Sequence, residues 1–262
     1  MKKVGFIGCG NMGGALLRAA AKTEKYEIYA ADFDKTKVEN ACREAGAKAS
    51  CAKEIAKECD FVFIGVKPQM LADCFDEIKD IFSERKDFIL VSMAAGVCIE
   101  KIKALSGAEK IIRIMPNMPV SVGAGVVLGA GENVSAEDKA EFESVMSCVG
   151  VFDWIDEKFI DAASALSGCG PAFVYMFIEA LADGAVACGL PRDKALLYAA
   201  GTVQGSAKTV LESGKHPGKL KDEVCSPGGT TIMGVKALED GGFRANSMNA
   251  VMEAYKKTKE LG

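Results

Sequence analysis

The sequence predicts an α/β protein, a doubly wound parallel sheet followed by an all-helical segment. Three observations carry this. Short apolar runs alternate with amphipathic stretches through the first half. The first run ends in a glycine-rich turn, Gly8-Cys9-Gly10-Asn11-Met12-Gly13. After about Asp156 no convincing strand remains. Strands alternating with helices build parallel sheets covered on both faces, which explains near-continuous apolar strands.

The elements follow in order. Val4–Gly8 is an apolar run ending in glycine, Asn11–Ala21 a helix, Tyr26–Asp32 a second strand and Lys35–Ala45 a second helix. Phe61–Val66, Phe88–Ser92 and Lys110–Met115 are further strands, with helical stretches starting from Pro68 and from Ile99. Val126–Leu128 and Val151–Trp154 add edge strands. Between them Ser135 and Asp138 form a capping box that opens a helix. Pro171 suits a first helical turn. The apolar run Ala172–Leu190 carries Glu179 and Asp183, so it reads as a buried helix rather than a membrane span. Pro191 restarts a helix through Leu211, Ser213–Gly218 is a break, and Asn246–Leu261 is a final helix. The predicted division is 1–158 and 159–262. The second part has too few helical residues to bury so many apolar faces, which predicts helix-to-helix dimerisation, a homodimer or a higher oligomer of dimers. Packing on the first domain is the plainer alternative.

Composition excludes several classes. The 262 residues are 49% hydrophobic and 26% charged, as in ordinary globular chains. A net charge of −4 gives no footprint for nucleic acid. Glycine is in excess at 28, and His216 is the single histidine, which disfavours histidine-based triads and metal sites. No metal is expected. The ten cysteines include no Cys-x-x-Cys pair, and the start MKKVGFIGCG has no long apolar signal region. Reduced cysteines in a cytoplasmic protein are therefore expected, most of them small core residues such as Cys59 and Cys188.

Gly8, Gly10 and Gly13 form a G-x-G-x-x-G that follows a strand and opens a helix, with Asp32 nineteen residues beyond Gly13. In that context it is the fingerprint of a Rossmann-type dinucleotide site. Gly8 permits the turn, Gly10 lets backbone approach a pyrophosphate, and Gly13 lets helix pack on sheet. Asn11 and Met12 place their N–H groups at the helix start, where phosphate is held. Asp32 is placed to accept hydrogen bonds from the adenosine ribose and to repel a 2′-phosphate, which leans the cofactor from NADPH towards NADH. It also reads as a turn or cap residue, with Asp34 equally eligible. Lys35 or Lys37 could still reach a phosphate. Val66, Lys67 and Pro68 follow the fourth strand, at the rim where such sheets bind ligands. Ala94, Ala95 and Gly96 follow the fifth and Asn117 the sixth, making a narrow slot suited to a flat nicotinamide.

Two stretches stand out in the second half, Leu166–Ala172 (LSGCGPA) and Leu220–Thr231 (LKDEVCSPGGTT). In the latter, Ser226, Thr230 and Thr231 flank the turn Pro227-Gly228-Gly229, before a helical pattern from Ile232. Consecutive N–H groups there make a nest for a carboxylate. An ordinary helix cap with a flexible turn explains the same residues.

Over essentially its whole length the chain resembles the pyrroline-5-carboxylate reductases. The resemblance is carried by GFIGCGNMGGAL, VKPQ, SMAAG, RIMPNMP, ALSGCGPAF and LKDEVCSPGGTTIMGVKALE, the last being the most specific. It implies a Rossmann domain followed by a helical dimerisation domain. It implies an active site between the cofactor domain and the helical domains of the dimer, and reduction of a cyclic imine to proline by NAD(P)H. Ser226, Gly228, Gly229, Thr230 and Thr231 would then hold the substrate carboxylate and ring, with Thr231 as donor or proton relay at the imine nitrogen. Two departures stand out. Cys169 replaces the second serine of a Ser-Gly-Ser-Gly loop, and Asp32-Phe33 stands where an Asn-Arg-like pair would suit NADPH.

The chemistry suits a chain poor in histidine. A carbonyl reductase needs an acid, usually His or Lys, for the developing alkoxide. A cyclic imine can enter already protonated, so alignment matters most, and orientation is worth roughly 7–11 kcal/mol. A 3-hydroxyacid dehydrogenase of the related two-domain class is the runner-up, but no lysine follows Gly170 in Pro-Ala-Phe-Val-Tyr-Met-Phe. A non-catalytic nicotinamide-binding regulator has no reason to keep Ser226–Thr231.

Overall fold

Eight strands form one sheet among the residues that the computed structural model describes, Met1–Leu261. They are β1 (Lys3–Ile7), β2 (Glu27–Ala31), β3 (Lys48–Ala49), β4 (Phe61–Ile64), β5 (Ile89–Ser92), β6 (Ile111–Pro116), β7 (Gly125–Glu132) and β8 (Gly150–Trp154). Their order is β3-β2-β1-β4-β5-β6-β7-β8. The pairs from β3 to β6 are parallel, β7 runs antiparallel to β6, and β8 is parallel to β7. The chain steps from β1 to β2 and β3, then crosses to β4 on the other side of β1. Between β1 and β4 lies the topological switch point where such sheets bind ligands.

Alternation along each strand feeds two cores. Phe6, Phe61 and Phe63 point to one face, with Leu16 and Leu17 of α1 (Asn11–Ala21) and Ala41 of α2 (Lys35–Ala45). Ile7, Val62 and Ile64 point to the other, against Ile55 of α3 (Ala52–Glu58), Leu71 of α4 (Leu71–Asp76), Phe82 of α5 (Lys79–Glu84) and Ile102 of α6 (Ile99–Ser106). On the first face Phe142 of α7 (Ala136–Val145) extends a ring series, with Phe6–Phe63 centroids 4.5 Å apart and Phe63–Phe142 5.9 Å. The capping box of α7 forms as expected, Ser135 Oγ accepting from the Asp138 amide and Asp138 from that of Ser135. In contrast, β7 is an eight-residue interior strand, not an edge. Its burial between β6 and β8 came from pairing that its short Val126–Leu128 apolar core did not reveal.

The helices that follow are α8 (Ile160–Ser167), α9 (Gly170–Ala187), α10 (Arg192–Ser213), α11 (Pro217–Glu223), α12 (Thr230–Asp240) and α13 (Phe243–Leu261). By compactness the break falls at Cys169/Gly170, eleven residues beyond the expected 158/159, and residues 255–261 group with the first unit. The shift arises because α8 packs its buried Ile160 into the sheet's second core.

The second unit, Gly170–Ala254, has almost no core of its own. Ala182, Ala195 and Ala199 are its buried apolar residues, with Ile178, Ala185, Val186 and Leu190 packed around them. Tyr175, Met176, Leu197, Tyr198, Met233, Met248 and Met252 are exposed. Within the single chain Ala182 is the one buried residue of α9, because α10 covers a single stripe. The helical stretch Glu157–Ala187 is long and apolar enough to cross a membrane by length and composition. So many exposed apolar side chains on one unit are unusual for a chain on its own. Cysteine burial also differs from expectation. Cys9, Cys59 and Cys74 are buried, whereas Cys188 is exposed, lying on this same uncovered unit.

Candidate functional site

The carboxyl ends of β1, β2 and β4 open into a cavity of about 530 Å³. Ile7, Gly8 and Gly10 line one side, Ala31, Asp32, Phe33, Asp34 and Lys37 another, and Gly65, Val66, Lys67 and Met70 a third. The glycines of the loop do separate jobs. Gly8 has φ +97°, and a Cβ there would lie 2.6 Å from the Gly65 carbonyl carbon. A Cβ on Gly13 would overlap the Gly8 carbonyl oxygen. On Gly10, by contrast, a Cβ would meet nothing within 4 Å. Gly8 and Gly13 are therefore demanded by the chain's own packing, and the space over Gly10 is left for something else. Gly65 shares this close approach, since its Cβ would come 2.5 Å from the Gly8 oxygen. Its position after the apolar strand Phe61–Ile64 was the available signal, and the sequence reading passed over it.

Helix α1 starts at Asn11 with no side-chain cap and no acidic residue in its first turn. Its first N–H groups, those of Asn11, Met12 and Gly13, have no partner within the helix. An anion completes such a terminus. The Cys9 amide is already used, donating to Asp32 Oδ2 at 2.7 Å. The second oxygen, Oδ1, accepts from the Asp34 amide at 2.9 Å and lies 3.6 Å from Lys37 Nζ. A carboxylate has about four acceptor positions. Asp32 thus ties two loops together and still faces the cavity with acceptor capacity. Asp34, its rival in the sequence, is the cap of α2, accepting from the Thr36 amide. Lys37 lines the cavity and Lys35 does not. Burial and the neighbouring Asp32 charge push the Cys9 thiol up to about 11, so it stays protonated and unreactive.

Further along the same rim, Pro68 opens a 3-10 turn (Pro68–Met70), leaving Lys67 exposed at its cap. Ala94, Ala95 and Gly96 follow β5, beside β4, with Gly96 at φ +74°. None of these three lines the cavity, nor does Pro68. Asn117 is buried, and both ends of its carboxamide are committed. Its Nδ2 donates to the Ser167 carbonyl at 2.9 Å, and its Oδ1 accepts from the Val126 amide at 2.8 Å. It joins the RIMPNMP and ALSGCGPAF stretches. Cys169, in the latter, is exposed.

In the second unit, Ser226–Thr231 forms a turn into α12. Gly228 takes φ +69°, the Gly229 amide donates to the Ser226 carbonyl at 3.0 Å, and Gly229 is the extended cap residue. Ser226 Oγ lies where a Cβ on Gly229 would sit. No side chain caps α12, so the N–H groups of its first turn point outward unpaired within the helix, beside the exposed Thr230 and Thr231. That is an acceptor-seeking nest with two hydroxyls. His216 caps α11 instead, its Nδ1 accepting from the Gly218 amide at 3.1 Å. Among the described residues no group of acidic, cysteine and histidine side chains could hold a metal ion.

Residues 3–96 match a family model described as NADP oxidoreductase, coenzyme F420-dependent, and residues 157–261 match one described as pyrroline-5-carboxylate reductase dimerisation. Together with the cavity over Gly10, they define a nicotinamide-dependent oxidoreductase with a helical dimerisation domain. The chain is 44% identical to a pyrroline-5-carboxylate reductase of Arabidopsis thaliana, over 99% of this chain and 95% of that one. It is 43% identical to that of Escherichia coli, over 99% and 98%. A crystal structure of the Plasmodium falciparum pyrroline carboxylate reductase with NADP bound superposes with a TM-score of 0.86 at 34% identity, covering 100% of this chain and 98% of that one. The chain belongs to the pyrroline-5-carboxylate reductase family. The likeness to 3-hydroxyisobutyrate dehydrogenase of Mycobacterium tuberculosis, 13% identical with a TM-score of 0.52 and covering 69% of this chain and 64% of that one, is one of fold alone.

Proposed function

We infer that this protein reduces 1-pyrroline-5-carboxylate to L-proline by hydride transfer from NAD(P)H, the last step of proline biosynthesis. The observation that carries this is the pairing, in one family member, of an open dinucleotide cradle at Gly10 with an uncapped α12 start flanked by hydroxyls. The nicotinamide, when bound, supplies the hydride. Gly8, Gly10, Asn11, Met12 and Gly13 are assigned to its pyrophosphate, Asp32 to the ribose, and Val66, Lys67, Pro68, Ala94, Ala95, Gly96 and Asn117 to the rest. Ser226, Gly228, Gly229 and Thr230 hold the substrate carboxylate, and the Thr231 hydroxyl donates to the imine nitrogen. The test is reductase activity of the purified protein on pyrroline-5-carboxylate. Failure with both NADH and NADPH would sink the assignment.

For the cofactor we favour NADH, because Asp32 puts negative charge beside the ribose. Lys37, 3.6 Å from that carboxylate, offsets part of it and leaves NADPH usable. Asp32→Asn keeps an acceptor for the Cys9 amide and removes the charge. It is expected to raise the NADPH-to-NADH ratio of kcat/KM by about tenfold, ~1.4 kcal/mol. An unchanged ratio would remove Asp32 from the ribose site.

We further propose a homodimer in the cytoplasm, with a second copy rather than lipid covering the apolar faces of α9, α10 and α13. The support is the near-absence of a core in the second unit, and ten cysteines without a disulfide. Met176 is 69% exposed and Leu197 63%. Met176→Glu with Leu197→Glu is expected to convert a dimer into a monomer or aggregate in light scattering. A dimer of unchanged stability would refute the assignment of this face.

A further inference from the structure

Arg113, on β6, is 3% exposed, an unusual place for a guanidinium. Its two terminal nitrogens reach Glu157 Oε1 and Asp161 Oδ1, each at 3.1 Å. Its Nε has no partner. The two carboxylates differ in what else they hold. Asp161 also pairs with Lys259 at 3.1 Å. Glu157 instead accepts the Ile99 amide on the same Oε1, at 2.7 Å. Ile99 is the first residue of α6, and its own cap residue, Cys98, makes no side-chain hydrogen bond. The missing cap is thus supplied from 58 residues away along the chain.

What this cap secures is the segment Met93–Cys98, which links β5 to α6. At its start the hydrogen bonds are long, Met93 amide to Ile64 carbonyl and Ala94 amide to Ser92 Oγ, both 3.4 Å, and the buried Ala94 and Val97 add apolar anchorage. At its end the Glu157 bond is short and charge-assisted, the stronger kind. We propose that Glu157, oriented by Arg113, is a positioning residue for the nicotinamide end of the cofactor site. It acts through the Ile99 amide on Ala94–Gly96 and rests on the function proposed above. A displacement of about 1 Å in such a segment can cost a hundredfold in rate.

The test uses the full-length protein, with steady-state kinetics, NADPH affinity by fluorescence and thermal midpoints. Glu157→Ala is expected to lower kcat and weaken NADPH binding by about tenfold or more. Glu157→Gln keeps an acceptor for Ile99 and is expected to recover most of that loss. Asp161→Ala removes the other arm of Arg113, and is expected to lower the thermal midpoint with kinetics unchanged. Ile99→Pro deletes the donor at a first helical position that tolerates proline. Because it also loses the buried Ile99 side chain, it is read against Ile99→Ala, which keeps the amide. The proline variant should reproduce the Glu157→Ala kinetics, and it decides the matter should Glu157→Ala fail to fold. Wild-type kinetics in Ile99→Pro, or equal kinetic losses in Glu157→Ala and Asp161→Ala, would overturn the proposal. If the wild type reduces no imine, the proposed function fails, and NADPH affinity across the same variants still judges the positioning role.

Discussion

Gly10→Ala is expected to fold like the wild type and to bind NADH and NADPH about ten- to a hundredfold more weakly, ~1.4–2.7 kcal/mol. The backbone there is compatible with any residue, at φ −66° and ψ −165°. A methyl group on it meets no protein atom within 4 Å. The one thing it can obstruct is a ligand lying against the loop. Loss of the glycine at this cap position costs under about 1 kcal/mol, a shift of a few degrees in thermal midpoint. Gly13→Ala should do the reverse. Its methyl overlaps the Gly8 carbonyl oxygen, which cannot retreat because Gly65 is packed behind it. Overpacking of this kind costs about 1–3 kcal/mol or more, so Gly13→Ala should lose stability first. Cofactor titration and thermal melting of the two variants separate these effects. Undiminished binding in Gly10→Ala would mean that the loop holds no pyrophosphate.

Thr231→Ala is the second large effect. Turnover on pyrroline-5-carboxylate should fall about a hundredfold, the usual loss for one donor aimed at a developing charge. Cofactor affinity should stay the same, because the residue sits in the first turn of α12, outside the dinucleotide cavity. The side chain is exposed and caps nothing, so stability should hold. Thr231→Ser, which keeps the hydroxyl, should restore most of the rate. Parallel losses of turnover, cofactor affinity and melting temperature would make Thr231 a structural residue.

Much of the first unit is legible in the residues because its signals are local. α1 and α2 begin and end where glycines, Asp34 and helical spacing place them. The capping box of α7 is a four-residue pattern, and it forms. The glycine loop is legible for the same reason: its conformation, its helix and its strand are neighbours in sequence. Elements defined by pairing are harder. β3 is two exposed residues, Lys48 and Ala49, with no apolar pattern to announce it. The full length of β7 follows from hydrogen bonds to β6 and β8 rather than from its composition. In the site, Asp32 was found as a carboxylate at the end of β2, but its bond to the Cys9 amide was not, since the partners lie 23 residues apart. Asn117 was placed at the rim, while the structure spends its side chain on Ser167 and Val126.

By itself the sequence determined the class of sheet, the dinucleotide loop, the turn before α12 and the shortage of core in the helical half. Each depends on residues close together in the chain or on a sum over a segment. Only the tertiary structure decided which glycine stands open, since Gly8, Gly13 and Gly65 crowd one another while Gly10 opens on space. It alone decided that α8 belongs to the first unit, and that one buried arginine gathers Glu157 and Asp161 from across the chain. Those outcomes turn on distances between residues far apart in sequence, which packing sets and local propensity does not.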